Sequence, residues 1–248
     1  MVKVKAVILA AGKGTRMKSE LPKVIHEAEG KAMVQYSIDA AMEAGAKKSD
    51  ICLVVGHKAD MVKEVAGKDV KYVLQKEQLG TGHAVKCASE FIGKEGITMI
   101  LCGDTPLITG ATLKRLVKKH VEEKNAITVL SAELDDPAGY GRIIKDSWGK
   151  FVKIVEQKDA TLEEQRVNEI NSGMYVFDSA ILNKALAKLT NDNAQGEYYL
   201  TDTIEIVKSE GWGEVETLVV DNEDEIKGVN SPEQLKEAEE ILKNREIA

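Results

Sequence analysis

The strongest constraint on the fold is a repeated alternation between short apolar-rich segments and the amphipathic segments that follow them. Val4–Leu9, Ile51–Val55 and Ile97–Leu101 are rich in branched apolar residues and have no regular polar alternation. Strands with this composition are apolar on both faces, which is typical of a parallel sheet covered by helices on each side. The spacing between them leaves room for one helix after each strand.

The amphipathic segments fill those spaces with helical periodicity. We predict helices over Lys31–Ala44, Ala59–Ala66 and Gly82–Phe91, and a helix that Thr109 caps and that continues to about Lys124. Two further strands, Val70–Leu74 and Ala126–Ala132, complete the first half of the chain. This half is therefore predicted to form a parallel sheet with helices on both faces.

The second half has shorter strands that alternate in polarity. Arg142–Lys145 and Phe151–Glu156 flank the hairpin-turn sequence Asp146–Gly149. The remaining predicted elements are strand Gly173–Phe177, helices Ser179–Leu189 and Tyr199–Ser209, strand Val215–Val220, and a helix from Ser231 to about Lys243. Together the two halves predict an α/β fold: a Rossmann-like, mostly parallel sheet with helices on both faces and a small antiparallel β lobe over a cleft.

Charge and hydropathy narrow the class of protein. The net charge is −7, and a local basic segment at the start, Met1–Lys18, carries five basic and no acidic residues. Nucleic-acid binding needs a broad basic surface, so we predict a small phosphorylated ligand instead. No apolar run approaches the roughly 20 residues that cross a bilayer. Three widely spaced cysteines fit reduced thiols, and we predict a cytoplasmic protein with no membrane partner.

A glycine-rich loop follows the first predicted strand. Gly12 and Gly14 allow the backbone to turn tightly and to present N–H groups to a phosphate, and Lys13 and Arg16 add positive charge. Met17 stands where the third glycine of a dinucleotide fingerprint would be, and no Walker P-loop is present. The alternative to phosphate binding is an ordinary tight turn before a helix.

Two other strand ends carry polar residues. The segment from Gln75 through Gln78, Gly80 and Thr81 offers amide groups that suit a nucleobase edge. The structural alternative is a strand-to-helix turn with Thr81 as the helix cap, and both can hold together. Asp104 follows the next strand behind a glycine, a place that suits a Mg²⁺ ligand or a turn cap. In an open α/β sheet, ligands bind beyond the carboxyl ends of the strands, so these groups should meet.

These motifs carry a family resemblance. The run Leu-x-x-Gly-x-Gly-Thr-Arg-Met followed by Leu-Pro-Lys, which ends at Lys23, resembles the signature of the sugar nucleotidyltransferases. Gln75 with Gln-Leu-Gly-Thr-Gly-His-Ala is similar to the uracil- and sugar-binding segment of the bacterial N-acetylglucosamine-1-phosphate uridyltransferases. Four later pieces match in order, around Gly141, Glu156, Asn171 and Asn230, so the resemblance spans residues 2–240.

The resemblance implies a nucleotide-diphospho-sugar transferase fold and a reaction of UTP with N-acetylglucosamine 1-phosphate. It implies Mg²⁺ held by Asp104 and Asn230, and catalysis by Arg16, Lys23 and Lys13. The substrate-binding residues that it implies are Leu9, Ala10, Ala11, Gly12, Gly14, Gln75, Gln78, Gly80, Thr81, Gly141, Glu156, Asn171 and Asn230.

The resemblance also implies a domain organisation. We expect residues 1–230 to form one nucleotidyltransferase domain with two lobes, and residues 231–248 to form a helix. In the resembling enzymes that helix leads into a trimerising β-helix acetyltransferase domain. We therefore expect no acetyltransferase activity from this chain, and a monomer or weak oligomer.

The alternatives are a nucleotidyltransferase for another nucleoside triphosphate or sugar 1-phosphate, and a non-catalytic sugar-nucleotide sensor.

Overall fold

A computed structural model describes residues 2–247. Its strands are β1 (Val4–Ala10), β2 (Glu27–Ala28), β3 (Lys31–Ala32), β4 (Ile51–Val55), β5 (Lys71–Leu74), β6 (Ile97–Cys102), β7 (Ile127–Glu133), β8 (Arg142–Lys145), β9 (Phe151–Val155), β10 (Glu169–Asp178) and β11 (Val215–Val219). Its helices are α1 (Met33–Glu43), α2 (Ala59–Ala66), α3 (Thr81–Cys87), α4 (Ser89–Ile92), α5 (Gly110–Glu123), α6 (Ser179–Lys188), α7 (Asp202–Ser209) and α8 (Pro232–Ile247).

The main sheet is mostly parallel, as predicted. Its strand order is β11-β7-β10-β6-β1-β4-β5. The β6-β1-β4-β5 portion is parallel throughout, with Ile8 paired to both Leu53 and Leu101. β10 runs antiparallel between β6 and β7, and β11 continues parallel to β7. The carboxyl ends of β1, β5 and β6 therefore lie along one edge of the sheet.

Helices cover both faces, which explains why the strands are apolar on both sides. Ile8 and Leu53 pack with α1, α2 and α5 in one core cluster. Val7 and Val54, their neighbours in sequence, pack with α3, α6 and α7 in the other. Successive side chains of a strand point to opposite faces, so each strand of the sheet contributes to both cores. The predicted fold class is confirmed.

The antiparallel lobe is built on one long strand. β8 and β9 form a hairpin whose turn is held by the Asp146 Oδ1, which accepts from the backbone N–H groups of Trp148 and Lys150. β8 pairs with β10 at Ile170 and Arg142. The antiparallel lobe is therefore continuous with the main sheet.

Some boundaries were predicted wrongly. β10 begins at Glu169, four residues before the predicted start at Gly173, because a bulge between Asn171 and Tyr175 interrupts its apolar pattern. The predicted helix over Gly82–Phe91 is broken at Ala88 into α3 and α4. The first two residues of the predicted helix over Lys31–Ala44 form strand β3, which pairs with β2. Local periodicity does not reveal such interruptions.

The last helix begins where the sequence predicts. The Ser231 hydroxyl accepts from the backbone N–H of Gln234 at 3.3 Å, and α8 extends to Ile247. Ala238 on this helix joins a small cluster with Met17, Leu107 and Val229. The helix therefore packs beside the end of the glycine-rich loop. Within residues 2–247, no helix is both long and apolar enough to span a bilayer.

Candidate active site

The glycine-rich loop follows β1 and depends on a close approach to the next turn. Gly14 has φ +63°, and a Cβ at this position would lie 2.6 Å from the Cβ of Lys23. A side chain at Gly14 would thus be strained by its φ and would collide with Lys23. The loop continues into a short 3-10 turn over Thr15–Met17 that presents Arg16, and Lys13 is exposed.

Arg16, Lys23, Asp104 and Asn230 form a cation cluster at the end of this loop. Lys23 Nζ donates to Asp104 Oδ2 and, at 2.8 Å, to Asn230 Oδ1. Arg16 Nη2 donates to the same Asn230 oxygen at 2.9 Å. The two basic side chains therefore converge on the carboxylate–amide pair that the resemblance assigns to a metal.

The backbone brings Asn230 to Asp104. The N–H of Val229 donates to the Asp104 carbonyl at 2.8 Å. The Asn230 amide then donates to the Gly228 carbonyl at 3.1 Å, and its backbone N–H donates to Gln234 Oε1 at 2.8 Å. These bonds orient Asn230 Oδ1 toward Lys23.

The donor set of the cluster fits a magnesium ion. Asp104 and Asn230 offer hard oxygen ligands, and the Lys23 ammonium bound to both shows that the pair already attracts a cation. In the part of the chain that the structure describes, no group of three or more His, Cys, Asp or Glu residues could hold a metal. A Mg²⁺ ion held by few protein ligands takes the rest from substrate phosphates and water.

A cavity open to solvent extends from the cluster along the carboxyl ends of β1, β5 and β6. The residues that line it are Leu9, Ala10, Ala11, Gly12, Lys23, Val24, Gln75, Gln78, Gly80, Thr81, Ala84, Cys102, Asp104 and Glu197. Ten of these were predicted site residues. Val24, Ala84, Cys102 and Glu197 were not, because none of them stands out from the motifs around it.

Gln75 closes one side of this cavity. It is only 3% exposed, and its backbone N–H continues the sheet by donating to the Val55 carbonyl at 2.8 Å. Gly80 beside it is packed so closely that a Cβ would lie 2.6 Å from the Tyr198 carbonyl oxygen. The structural alternative, in which Thr81 caps the next helix, is wrong: Gly80 is the N-cap, and the Thr81 hydroxyl instead accepts from the Leu200 N–H at 3.1 Å.

The antiparallel lobe (β8, β9 and β10) gathers three more predicted residues away from the cation cluster. The Asn171 N–H donates to the Gly141 carbonyl at 2.9 Å. A Cβ on Gly141 would lie 3.3 Å from Glu156 Oε2, so a side chain there would crowd this carboxylate. Glu156 Oε1 accepts from the Thr201 hydroxyl at 2.9 Å, and burial raises the pKa of this carboxyl.

Asn171 already has hydrogen-bond partners at both ends of its amide. Its Nδ2 donates to the Tyr175 hydroxyl at 2.7 Å, and its Oδ1 accepts from the Gly173 N–H at 3.1 Å. Burial raises the pKa of the Tyr175 hydroxyl. The bulge that holds these bonds touches the cavity wall, since Cys102 Sγ lies 3.8 Å from the Gly173 carbonyl oxygen. The side chain is thus fixed before any ligand arrives.

Most of the predicted residues thus fall into two groups. Arg16 and Asn230 contact the cavity-lining residues Lys23 and Asp104, directly or through each other. Gly141, Glu156 and Asn171 form a second group in the antiparallel lobe. Lys13 and Gly14 belong to the loop but do not line the cavity. A separate cavity between α8 and the loop before β8 contains none of the predicted residues.

The carboxyl ends of the parallel strands carry a glycine loop, two converging basic side chains and a pair of hard oxygen ligands. With helices on both faces of the sheet, this arrangement defines an α/β enzyme that binds nucleoside phosphates. Comparison with known proteins makes this class more specific. The family model for nucleotidyl transferases matches residues 5–224. The chain therefore belongs to the nucleotidyl transferase family.

Curated relatives are highly similar in sequence. The chain is 56% identical to the bifunctional protein GlmU of Caldanaerobacter subterraneus over 99% of this chain and 53% of the relative. It is 54% identical to the bifunctional protein GlmU of Thermoanaerobacter pseudethanolicus over 96% of this chain and 51% of the relative. The chain spans about half the length of the curated relatives it matches.

The fold agrees with solved structures. A UDP-glucose pyrophosphorylase complexed with UDP-glucose superposes with a TM-score of 0.76 and 22% sequence identity, covering 99% of this chain and 100% of that chain. At this level of identity the likeness is one of fold.

Proposed function

We propose that this chain transfers UMP from UTP to N-acetylglucosamine 1-phosphate, with Mg²⁺, and releases UDP-N-acetylglucosamine and pyrophosphate. The observation that carries the proposal is the cation cluster at one end of a cavity whose other wall is Gln75. The Gln75 segment resembles a uracil-binding segment, and the high identity to the GlmU relatives supports the same substrates.

The reaction joins two anions. An oxygen of the sugar phosphate attacks the α-phosphorus of UTP, a new P–O bond forms, and the bond to pyrophosphate breaks. The attacking oxygen is already ionised near neutral pH, so no general base is required. Repulsion between the phosphates is then the main obstacle, and positioning with charge neutralisation lowers the barrier.

The residues of the cation cluster are suited to this task. Lys23 leaves its bonds to Asp104 and Asn230 and neutralises charge on the reacting phosphates. Arg16 stabilises the departing pyrophosphate, with help from the exposed Lys13. Asp104 and Asn230 would hold Mg²⁺, which supplies further charge neutralisation on the phosphates when it is bound.

The antiparallel lobe recognises the sugar. Glu156 offers a carboxylate oxygen to a sugar hydroxyl, and because Gly141 has no side chain it leaves the Oε2 of this carboxylate uncrowded. Asn171 is held rigidly by Tyr175 and Gly173, so it loses little side-chain entropy on binding.

The test is pyrophosphate release from UTP, Mg²⁺ and N-acetylglucosamine 1-phosphate, beside reactions with dTTP, CTP and glucose 1-phosphate. We expect rapid release with the first pair and loss of activity when EDTA is added. Faster release with another pair would keep the reaction class and overturn the substrate assignment. No release by folded protein with any pair would favour a sugar-nucleotide sensor.

A further inference from the structure

The side chain of Gln75 is held by two acceptors at once. Its Nε2 lies 3.2 Å from the Gly80 carbonyl oxygen and 3.1 Å from Nδ1 of His83. The Gly80 oxygen can only accept, so the amide nitrogen must face it. Both Nε2 hydrogens are then used, and among the described residues no donor reaches the remaining atom, Oε1.

This arrangement also fixes the tautomer of His83. Because Nδ1 accepts from Gln75, its lone pair must be free, and the ring proton lies on Nε2. That nitrogen lies 4.0 Å from Cys87 Sγ, a weak acceptor one helical turn further along α3. The Tyr198 ring packs nearby, with its centroid 6.3 Å from that of His83. His83 itself does not line the cavity.

We propose that His83 is a positioning residue for nucleotide specificity. By accepting one Nε2 hydrogen it holds Gln75 so that only Oε1 is available to the base. Gln75 then acts as a pure acceptor, although a free glutamine amide could donate or accept. A base must present an N–H group there, and the ring N3–H of uracil does so. This inference rests on the proposed use of a uridine nucleotide.

The position of the acceptor distinguishes positioning from simple packing. The Oδ1 of asparagine can replace Nδ1 of histidine, whereas the longer amide of glutamine reaches toward the place of Nε2. His83→Asn therefore keeps the bond to Gln75, and His83→Gln and His83→Leu lose it. Asparagine and glutamine are both neutral amides, so their contrast remains informative even if His83→Leu does not fold.

The experiment measures kcat and KM for UTP at saturating N-acetylglucosamine 1-phosphate in all three variants. We expect His83→Leu and His83→Gln to raise the KM for UTP by about five- to tenfold, the size of one lost neutral hydrogen bond, with kcat changed less than about twofold. His83→Asn should stay within about twofold of the wild type. Equal KM values in the three variants, or a loss confined to kcat, would overturn the proposal.

A second measurement removes the donor from the base. N3-methyluridine triphosphate cannot donate to Oε1, so the wild type should use it at least about tenfold less efficiently than UTP. That penalty should shrink in His83→Leu and persist in His83→Asn. An unchanged penalty in every variant would contradict positioning by His83. A wild type inactive with UTP but active with another nucleotide would instead contradict the proposed function.

Discussion

The cation cluster and the antiparallel lobe prepare for a ligand in opposite ways. In the cluster, Lys23 and Arg16 are bound to Asp104 and Asn230, the oxygens proposed for the metal. In the lobe, the partners of Asn171 are neighbours on its own strand, and Glu156 is held by Thr201. When phosphates bind, Lys23 and Arg16 must therefore exchange their hydrogen-bond partners, whereas the side chains of the lobe can keep theirs.

The difference follows from charge. Unpaired charges are costly to bury, so the partly buried Lys23 and Asp104 pair with each other until a ligand replaces this contact. The Asn171 amide is neutral and can be satisfied permanently by nearby backbone and hydroxyl groups. We therefore expect substitutions in the cluster to affect the chemical step, and substitutions in the lobe to affect sugar binding.

The largest expected effect is that of Asp104→Ala. The change removes the only carboxylate of the cluster and leaves Lys23 with Asn230 alone, so kcat should fall by about 10³. The dissociation constant for UTP should change far less, because the Gln75 wall is intact. Steady-state kinetics and nucleotide titration measure the two effects. Asp60→Ala, at a highly exposed carboxylate, is the control, and near-normal turnover of Asp104→Ala would refute the role of the cluster.

Arg16→Ala should follow with a loss of about 10² in kcat, since Arg16 contacts Asn230 and is proposed to stabilise the leaving pyrophosphate. Lys13→Ala is the matched comparison, because Lys13 lies on the same loop and is exposed. We expect it to lose less. If Arg16→Ala changed only the KM for the sugar phosphate, Arg16 would belong functionally with the antiparallel lobe.

Asn171→Ala should show the opposite kinetic pattern. The substitution removes an amide side chain that neighbouring groups already hold in place. We therefore expect the KM for N-acetylglucosamine 1-phosphate to rise by about tenfold while the KM for UTP stays within about twofold. Varying each substrate at saturation of the other measures this split. An equal rise in both KM values would mean that the two regions do not act separately.

The smallest effect concerns stability. Burial, and then Glu205, Glu156 and Asp159, raise the pKa of Asp202 to about 6. The folded state then binds this proton more tightly than the unfolded state, so the stability that it contributes is lost as pH rises from about 4 through about 6.

Asp202→Asn removes that titration. We expect the free energy of unfolding of the variant, relative to the wild type, to increase by on the order of 1 kcal/mol between pH 4 and pH 8. Urea unfolding at both pH values measures this. Asp192→Asn, at an exposed position in the loop before α7, is the control, and a difference independent of pH would contradict the assignment.

Much of the site could be predicted because its parts follow strand ends. Gln75 directly follows β5, Asp104 lies two residues beyond β6, and the glycine loop follows β1, so the parallel sheet alone brings them to one edge. The lobe was harder to predict. Asn171 lies inside β10, and a bulge hides the strand pattern around it.

The sequence by itself determined the strands of the main sheet, most helices and the order of the motifs along them, because hydrophobic periodicity and turn residues act locally. Only the tertiary structure decided that β10 inserts antiparallel between β6 and β7, that the Val229 N–H bonds the Asp104 carbonyl, and that His83 binds Gln75. Each of these depends on which distant groups can satisfy one another's hydrogen bonds once the core has packed. That choice is a property of the whole chain rather than of any segment.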